Sequence, residues 1–437
     1  MKAIKKWLKK ILPDDFILWT HKIRAVTANF VYGFPSRKLK VIGITGTNGK
    51  TTVCNLIAKV IEESGRKVGM ATTINFKVGE KEWKNNTKMT SLDPFELQKL
   101  LRQMVDAGCE YAVIETTSHA ISQSRNWGIK YDLVALTNIT HDHLDYHKSF
   151  SDYRETKMKL FKDNPNISIV NRDDPSYVFF AKLNPKKLYF YGIDEKADVT
   201  AKKMFMSSKG TLFTLITPES QIVIDLKLPG KYNVYNALLA STIAISIGIP
   251  LETVKRALEK VKGIPGRMEV IETNKNYMVI VDFAHTPDGL KNVFETIRSF
   301  AKGRIIHVGG ATGRRDKTKR PLLGALSGKY ADISIVTNED PYDEDPWAII
   351  EEVSAGILRG GSADNPKVLD KNFFKVLDRT DAIKLALSEA QDNDIVLITG
   401  KGAEEVMAVG DKLVPYSDKK VVESILENSN NKIQTSI

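Results

Sequence analysis

Apolar residues recur along this chain in two rhythms. Unbroken runs such as "KVIGIT" (40–45), "YAVIET" (111–116) and "YDLVALTNI" (131–139) predict buried strands. By contrast, "TTVCNLIAKVIEESG" (51–65) spaces its apolar positions as a helix does and stops at Gly65. A further strand falls at 167–171. A Pro/Gly loop, "KGIPGRMEV" (262–270), breaks the series, and a second one follows in "YMVIVDFAH", "GRIIHVGG", "ADISIVTNED" and "DIVLITGKG". Strand alternating with helix is the rhythm of a mostly parallel sheet wrapped by helices. The predicted fold is therefore α/β: a short helical N-terminal segment over 1–39, a central sheet domain of phosphate-loop type over 40–265, and a C-terminal Rossmann-like α/β domain over 266–437. Open sheets of this kind bind ligands beyond the carboxyl ends of their strands. The polar strand tails are thus where chemistry is to be sought.

Composition narrows the class. The 437 residues suffice for two or three domains, and 42% hydrophobic with 27% charged residues is the balance of a folded chain. Two cysteines, Cys54 and Cys109, exclude a disulfide scaffold and a four-cysteine zinc module, and fit a reducing cytosol. The net charge of +11 suits nucleic acid, anionic small substrates or the inner membrane surface equally. No nucleic-acid recognition module is found, so none is expected as a partner. No apolar run reaches the roughly eighteen residues of a spanning helix.

The first forty residues hold ten Lys and Arg against two Asp. Trp7, Leu8, Ile11 and Leu12 recur at helical spacing with Lys5, Lys6, Lys9 and Lys10 between them. A helix packed on the next domain with a solvated basic face is the preferred reading; peripheral contact with an anionic membrane is the alternative. Asp14 and Asp15 interrupt what would be the apolar part of an export signal, so a cytoplasmic location is expected.

"VIGITGTNGKTT" (41–52) sets a glycine-rich turn between a strand and a helix that opens with Lys-Thr. The general phosphate-loop pattern asks for glycine where this chain has Ile44; its glycines fall at Gly43, Gly46 and Gly49. Gly46 and Gly49 allow backbone N–H groups to converge on phosphate oxygens at a helix N-terminus. Lys50 can reach the terminal phosphates, and the Thr51 hydroxyl can serve Mg²⁺.

The unusual spacing carries a resemblance. "GITGTNGKTT" is similar to the ATP loop of the Mur ligases, which form amide bonds in peptidoglycan synthesis, and of their folylpolyglutamate synthetase relatives. "VIETTSHAISQSR" (113–125) resembles that family's E-V-S-S-H-x-L-x-Q-x-R. "LTNITHDHLDYHKSFSDYRETKMKLF" resembles its T-N-[LI]-x-x-D-H-L-D-Y-H followed by Y-x-x-x-K. The likeness runs from residue 39 to about 420, and its sub-type is that of MurE, which adds the third residue of the stem peptide.

What the resemblance implies is specific. Gly46, Thr47, Asn48, Gly49, Lys50, Thr51 and Thr52 would hold ATP, with Asn236 of "LPGKYNVYNALLA" on the adenine side and Arg267, Asp282 and His285 reaching in from the C-terminal domain. Lys50, Glu115, His143 and Lys157 would carry catalysis. Two Mg²⁺ ions would be held by Thr51, Glu115, His143 and Lys157, the last as a CO₂-derived carbamate. On its own Lys157 is one of four lysines between Lys148 and Lys162, and a solvated helix face is the default. The cluster His141, Asp142, His143, Asp145 and His147 also invites zinc, although side chains so close in sequence cannot all converge.

Thr90 and Ser91 of "KMTSLDPFELQ", with Thr117, Gln123 and Arg125, match the contacts to a UDP-muramoyl-dipeptide acceptor. Arg315, Glu339, Asp340, Tyr342, Gly400 and Glu404 match the contacts to a free amino acid. The implied enzyme is a monomeric, ADP-forming acid–amino-acid ligase acting through an acyl phosphate. A polyglutamate-type ligase and a non-catalytic nucleotide-binding scaffold are the rivals.

Two departures stand out. MurE-type enzymes carry an N-terminal domain that grips uridine diphosphate, and here only some forty residues of net positive charge precede the loop. UDP is then held differently, or the acceptor is carried on a lipid. The family's diaminopimelate-reading D-N-P-R is "EDPY" (339–342) here. Tyr342 cannot pair with a distal carboxylate, whereas Glu339 and Asp340 could greet an ammonium. Lysine or another basic or neutral amino acid is therefore expected over diaminopimelate.

Overall fold

The computed structural model describes residues 14–140, 142 and 146–434. The basic stretch around Trp7 to Leu12 and the metal-ligand candidate His143 lie outside the described residues. Two sheets organise the rest. The first has eleven strands in the order β11-β10-β9-β8-β7-β6-β1-β5-β2-β3-β4. Its centre is β1 (Lys40–Thr45), flanked in parallel by β5 (Tyr111–Glu115) and β6 (Tyr131–Leu136). β2 (Val68–Ala71), β7 (Ile167–Asn171) and β8 (Leu188–Gly192) extend the parallel core.

Antiparallel hairpins finish both edges. At one edge stand β3 (Asn75–Val78) and β4 (Lys81–Lys84); at the other, β9 (Val199–Ser207), β10 (Gly210–Ile216) and β11 (Gln221–Leu226). Of these edge strands, β10 and β11 alternate buried and more exposed residues, as half-covered sheets do, and lack the solid apolar runs that mark the centre.

The second sheet has the order β12-β13-β17-β14-β15-β16. β12 (Glu269–Ile271) is its antiparallel edge, while β13 (Met278–Asp282), β17 (Ile395–Thr399), β14 (Ile305–Gly309), β15 (Ile333–Thr337) and β16 (Phe373–Val376) are parallel. A hairpin of β18 (Val406–Val409) and β19 (Lys412–Pro415) follows. Each sheet has an apolar cluster on both faces, which is why the central strands read as continuous Val, Ile and Leu.

The expected strands all occur: 40–45 and 167–171 at full length, and 111–116, 131–139 and the four of the second series shortened at their carboxyl ends where the tails turn away into loops. The Lys50–Glu63 helix stops as expected, Gly65 being left-handed at φ 79°. Cys54 and Cys109 are buried free thiols. Among the described residues no helix is long and apolar enough to cross a membrane. The Asp14–Tyr32 helix packs on the Pro94–Asp106 helix: Arg24 pairs with Asp93 at 2.6 Å, and Asn29 donates to the Trp127 carbonyl at 2.7 Å.

Candidate active site

Three adjacent parallel strands, β6, β1 and β5, deliver their tails to one place. Ile44 pairs in register with Glu115, and Thr45 with Leu136. The loop after β1 needs its glycines. Gly46 has φ 142°, and a Cβ there would collide with the Thr137 hydroxyl; Gly49 has φ 87°, and a Cβ there would collide with the Asn236 side chain. The loop is also tied down by its neighbours. Thr47 N–H donates to the Asn138 carbonyl at 2.8 Å and Asn48 N–H to the Asn138 side chain at 3.0 Å, while the Thr47 hydroxyl meets the Tyr153 hydroxyl at 3.1 Å. Lys50 bends back over the loop, donating to the carbonyls of Thr47 at 2.7 Å and Gly46 at 3.2 Å. Loss of solvation holds Lys50 below its ordinary pKa.

Buried Glu115 accepts from the Thr51 hydroxyl at 2.9 Å and from Thr73 N–H at 2.9 Å. A hydroxyl and a carboxylate beside the loop form the hard oxygen set that Mg²⁺ takes. Lys157, on the Phe150–Lys162 helix, is fully buried and donates to the Gly46 carbonyl at 2.8 Å, so it does not lie on a solvated face. Burial, and then the charge of Lys50, push its amine well below the usual lysine range. Of the histidine–aspartate cluster, Asp142 and His147 are described and buried; His141, His143 and Asp145 lie outside the described residues.

The C-terminal domain closes over this loop. Arg267 donates to the Thr51 hydroxyl at 3.2 Å and lies over the Phe283 ring, its Nε buried without a partner. Asn48 donates to Asp288 at 2.8 Å and accepts from the Thr286 hydroxyl at 3.2 Å. Between the domains lies a cavity of about 450 Å³ lined by Asn48, Gly49, Thr52, Asn236, Arg267 and His285 among others. Desolvation pulls His285 down to about 4, so its ring is neutral. Asp282 is buried and spends both carboxylate oxygens on the N–H groups of Met268 (2.6 Å) and Ala284 (2.7 Å); it shapes the loop from beneath. Sequence reasoning gives no role to Asn138, Tyr153, Thr286 or Asp288, although the first two stand inside the quoted "LTNITHDHLDYHKSFSDYRETKMKLF" and the last two directly follow "YMVIVDFAH".

The acceptor candidates form one strip at the Glu115 end. Ser91 meets Thr117 at 3.1 Å, Thr73 donates to Thr90 at 3.1 Å, and Arg125 donates to the Ser91 carbonyl at 3.0 Å and to Gln123 at 2.7 Å. His119 stands beside this strip. Burial, then the charge of Arg315 from the other domain, lowers it to about 4.

The amino-acid candidates hang from the tails of β14, β15 and β17. Arg315 is exposed. Tyr342 is left-handed at φ 53°, with its backbone bonded to Ala408 and Gly410. Gly400 has φ 109° and packs on Glu339, which accepts from Thr312 at 2.8 Å. The expectation that Glu339 and Asp340 stand open to a substrate ammonium needs correction. Asp340 is already paired with Lys88 at 2.6 Å and Lys401 at 3.1 Å, and Glu404 with the same two lysines at 3.1 and 3.0 Å. Glu339 is buried, and burial raises its pKa. Lys88 comes from the central domain, and no local pattern in the sequence points to it.

Comparison with known proteins decides the family. The Mur ligase middle domain matches residues 44–244, and the Mur ligase glutamate ligase domain matches residues 266–402. The chain belongs to the Mur ligase family. It is 40% identical over 410 residues to the UDP-N-acetylmuramoyl-L-alanyl-D-glutamate--2,6-diaminopimelate ligase of Clostridium botulinum, covering 93% of this chain and 82% of that one. To the protein of the same name from Geobacillus thermodenitrificans it is 37% identical over 426 residues, covering 95% and 84%. A solved structure of a ligase with that name superposes with a TM-score of 0.64 at 29% identity, over 94% of this chain and 83% of that one. The folylpolyglutamate synthase of Mycobacterium tuberculosis in complex with ADP superposes at 0.69 with 19% identity, over 91% and 95%, a likeness of fold alone. This Mur ligase is thus an ATP-dependent, amide-forming ligase.

Proposed function

We propose that the chain joins an amino acid to UDP-muramoyl-L-alanyl-D-glutamate in peptidoglycan precursor synthesis. One observation carries this reading: Lys50, Thr51, Glu115 and Lys157 gather on a single glycine loop that Arg267 and Asp288 cap from the second domain. A carboxylate oxygen is a poor leaving group, so the γ-phosphoryl of ATP passes to the acceptor carboxylate, giving an acyl phosphate and ADP. The α-amine of the incoming amino acid then attacks the carbonyl carbon. The C–O bond to phosphate breaks, phosphate leaves, and the amine gives up a proton. Lys50 stands where negative charge moves from one oxygen to another, and fixed charge placed there is worth most in a dry site. Closure across Asn48 keeps water from the acyl phosphate.

Thr51 and Glu115, joined by His143, would hold Mg²⁺, which supplies charge neutralisation for phosphoryl transfer. Lys157 suits carbamylation, since a buried amine held neutral is the form that adds CO₂. Labelled bicarbonate should give a carbamate carbon signal that Lys157→Met abolishes, with or without turnover. Ser91, Thr117, Gln123 and Arg125 would orient the acceptor, and Arg315 the amino acid's α-carboxylate. Residues 40–265 and 266–437 are taken as the two ligase domains of a monomer.

The lysine expectation rested on an open acid pair, and that pair is filled. Relatives at 37% and 40% identity are named for diaminopimelate, which becomes the favoured amino acid. The decisive experiment is mass spectrometry of products formed from ATP, Mg²⁺, UDP-muramoyl-dipeptide and each amino acid. One added residue, with ADP and phosphate in equal amount, is expected; ATP loss with no new amide would overturn the reading.

One further observation favours contact of this enzyme with anionic lipid. Trp19, Ile23 and Phe30 are 57%, 41% and 68% exposed along one stripe of the Asp14–Tyr32 helix, directly after the lysine-rich start. Co-sedimentation with anionic but not zwitterionic vesicles is expected, and equal recovery with both would refute it.

A further inference from the structure

Resting on the ligase reading above, we infer that Lys88 selects the incoming amino acid, binding a second carboxylate on its side chain. Tyr342 stands where the family pattern has the arginine that would do so, and a phenol offers no charge to a carboxylate. A cation must then come from elsewhere, and the structure brings two. Lys401 and Lys88 each bridge Asp340 and Glu404, giving two acids and two bases. Lys401 is wholly buried behind its partners. Lys88 is at the rim, with 11% of its side chain exposed, and lines a small space between the domains with Thr73, Asn86, Phe283 and Glu404. An ammonium has three N–H donors and the two carboxylates take two, which leaves one for a ligand.

The quartet therefore treats the two substrate chemistries differently. A carboxylate arriving at the seam finds a lysine at the rim with one N–H left to give, in a charge-balanced setting. An ammonium finds both acids taken and must expel Lys88 to reach them. Displacing a mostly buried, doubly paired charge is unfavourable, since it leaves that charge to be rehoused.

The loop is built to present this side chain. Asn85 donates to the carbonyls of Thr72 at 2.8 Å and Met89 at 2.9 Å and accepts from the Thr87 hydroxyl at 2.6 Å, cinching the turn. Lys88 itself sits at φ 54°, a left-handed conformation that residues with a Cβ rarely adopt. Two residues later Thr90 opens the acceptor strip, so one loop connects the acceptor to the amino-acid side chain.

The test compares wild type, Lys88→Met and Lys88→Arg, measuring phosphate release with UDP-muramoyl-dipeptide and either meso-diaminopimelate or L-lysine. Wild type should prefer diaminopimelate. Lys88→Met should lower the ratio of kcat/KM for diaminopimelate over lysine by about tenfold or more, chiefly through KM for diaminopimelate. Lys88→Arg should restore most of it. A Lys88→Met ratio within about twofold of wild type, including equal loss with both amino acids, would reduce Lys88 to a domain latch and overturn the inference alone. Wild-type inactivity toward both amino acids would overturn the ligase reading and this inference with it.

Discussion

The two ends of the cleft are built on different plans. At the phosphate loop the residues around the glycine turn all belong to the central domain: Lys50 and Lys157 both donate to the Gly46 carbonyl, and Thr51 donates to Glu115, with Arg267 and Asp288 added from the second domain as a cap. At the amino-acid end the charges come from distant stretches, Lys88 from one domain and Asp340, Lys401 and Glu404 from the other. The first plan makes a site that any member of such a family can reuse, since the chemistry of phosphoryl transfer does not change. The second lets selectivity shift through a single surface loop without disturbing the machinery beneath.

The largest expected effect falls on the amino-acid end. Arg379 and Asp418 form a buried two-pronged pair at 2.7 and 2.8 Å, and Arg379 also donates to the Thr399 carbonyl at 2.7 Å, just before Gly400. Arg379→Leu would strand a buried carboxylate and should cost about 3–5 kcal/mol in chemical denaturation. A loss under ~1 kcal/mol would show that the tail of β17 is held by its sheet alone. Next, Lys50→Met should lower kcat for phosphate release by about 10²–10³-fold with little change in melting temperature. A large drop in stability would instead recast Lys50 as part of the loop's architecture.

Much of the first plan was readable in the residue string because its signals are local. A strand, a glycine turn and Lys-Thr must lie within a dozen positions for the geometry to close, and "VIETT" and "LTNIT" are the adjoining tails of the same sheet. Lys88 shows the limit of such reading. It lies in "NNTKMTS" with no periodic or motif signal, and its meaning depends on Asp340, 252 positions away. Asp288 was missed for the same reason: its partner Asn48 is 240 positions away. The edge hairpins of β9 to β11 were also unread, their alternating pattern being weaker than the solid runs of the centre.

A smaller test addresses the join between the two plans. Asn48→Ala removes the bonds to Thr286 and Asp288 and should raise KM for ATP several-fold, on the order of 1 kcal/mol, with kcat less affected. An unchanged KM would mean that closure does not run through the loop.

At neutral pH the smallest effect concerns acidity, since it grows only as the solution is acidified. His307 is buried between Ser327 at 2.8 Å and Thr399 at 2.9 Å, and burial lowers it to about 3. Its folded pKa lies below the unfolded value near 6.5, so the unfolded chain takes up the proton first. Stability is then unaffected by this group above about pH 7 and falls as pH drops from about 6.5 toward 3, by at most ~1.4 kcal/mol per pH unit. Thermal melts of wild type and His307→Gln between pH 7.5 and 5 should converge as acid is added. Parallel curves would exclude this histidine as the source.

Asn48 carries one further consequence. Because a single amide both shapes the nucleotide's cradle and clasps the opposite lobe, the two lobes share one point at which they can be pried apart. A small wedge seated against Thr286 and Asp288 would need neither a purine nor a triphosphate mimic to silence the enzyme, although Asp288 lines the same cavity as Asn48 and Gly49, so ATP would compete with it.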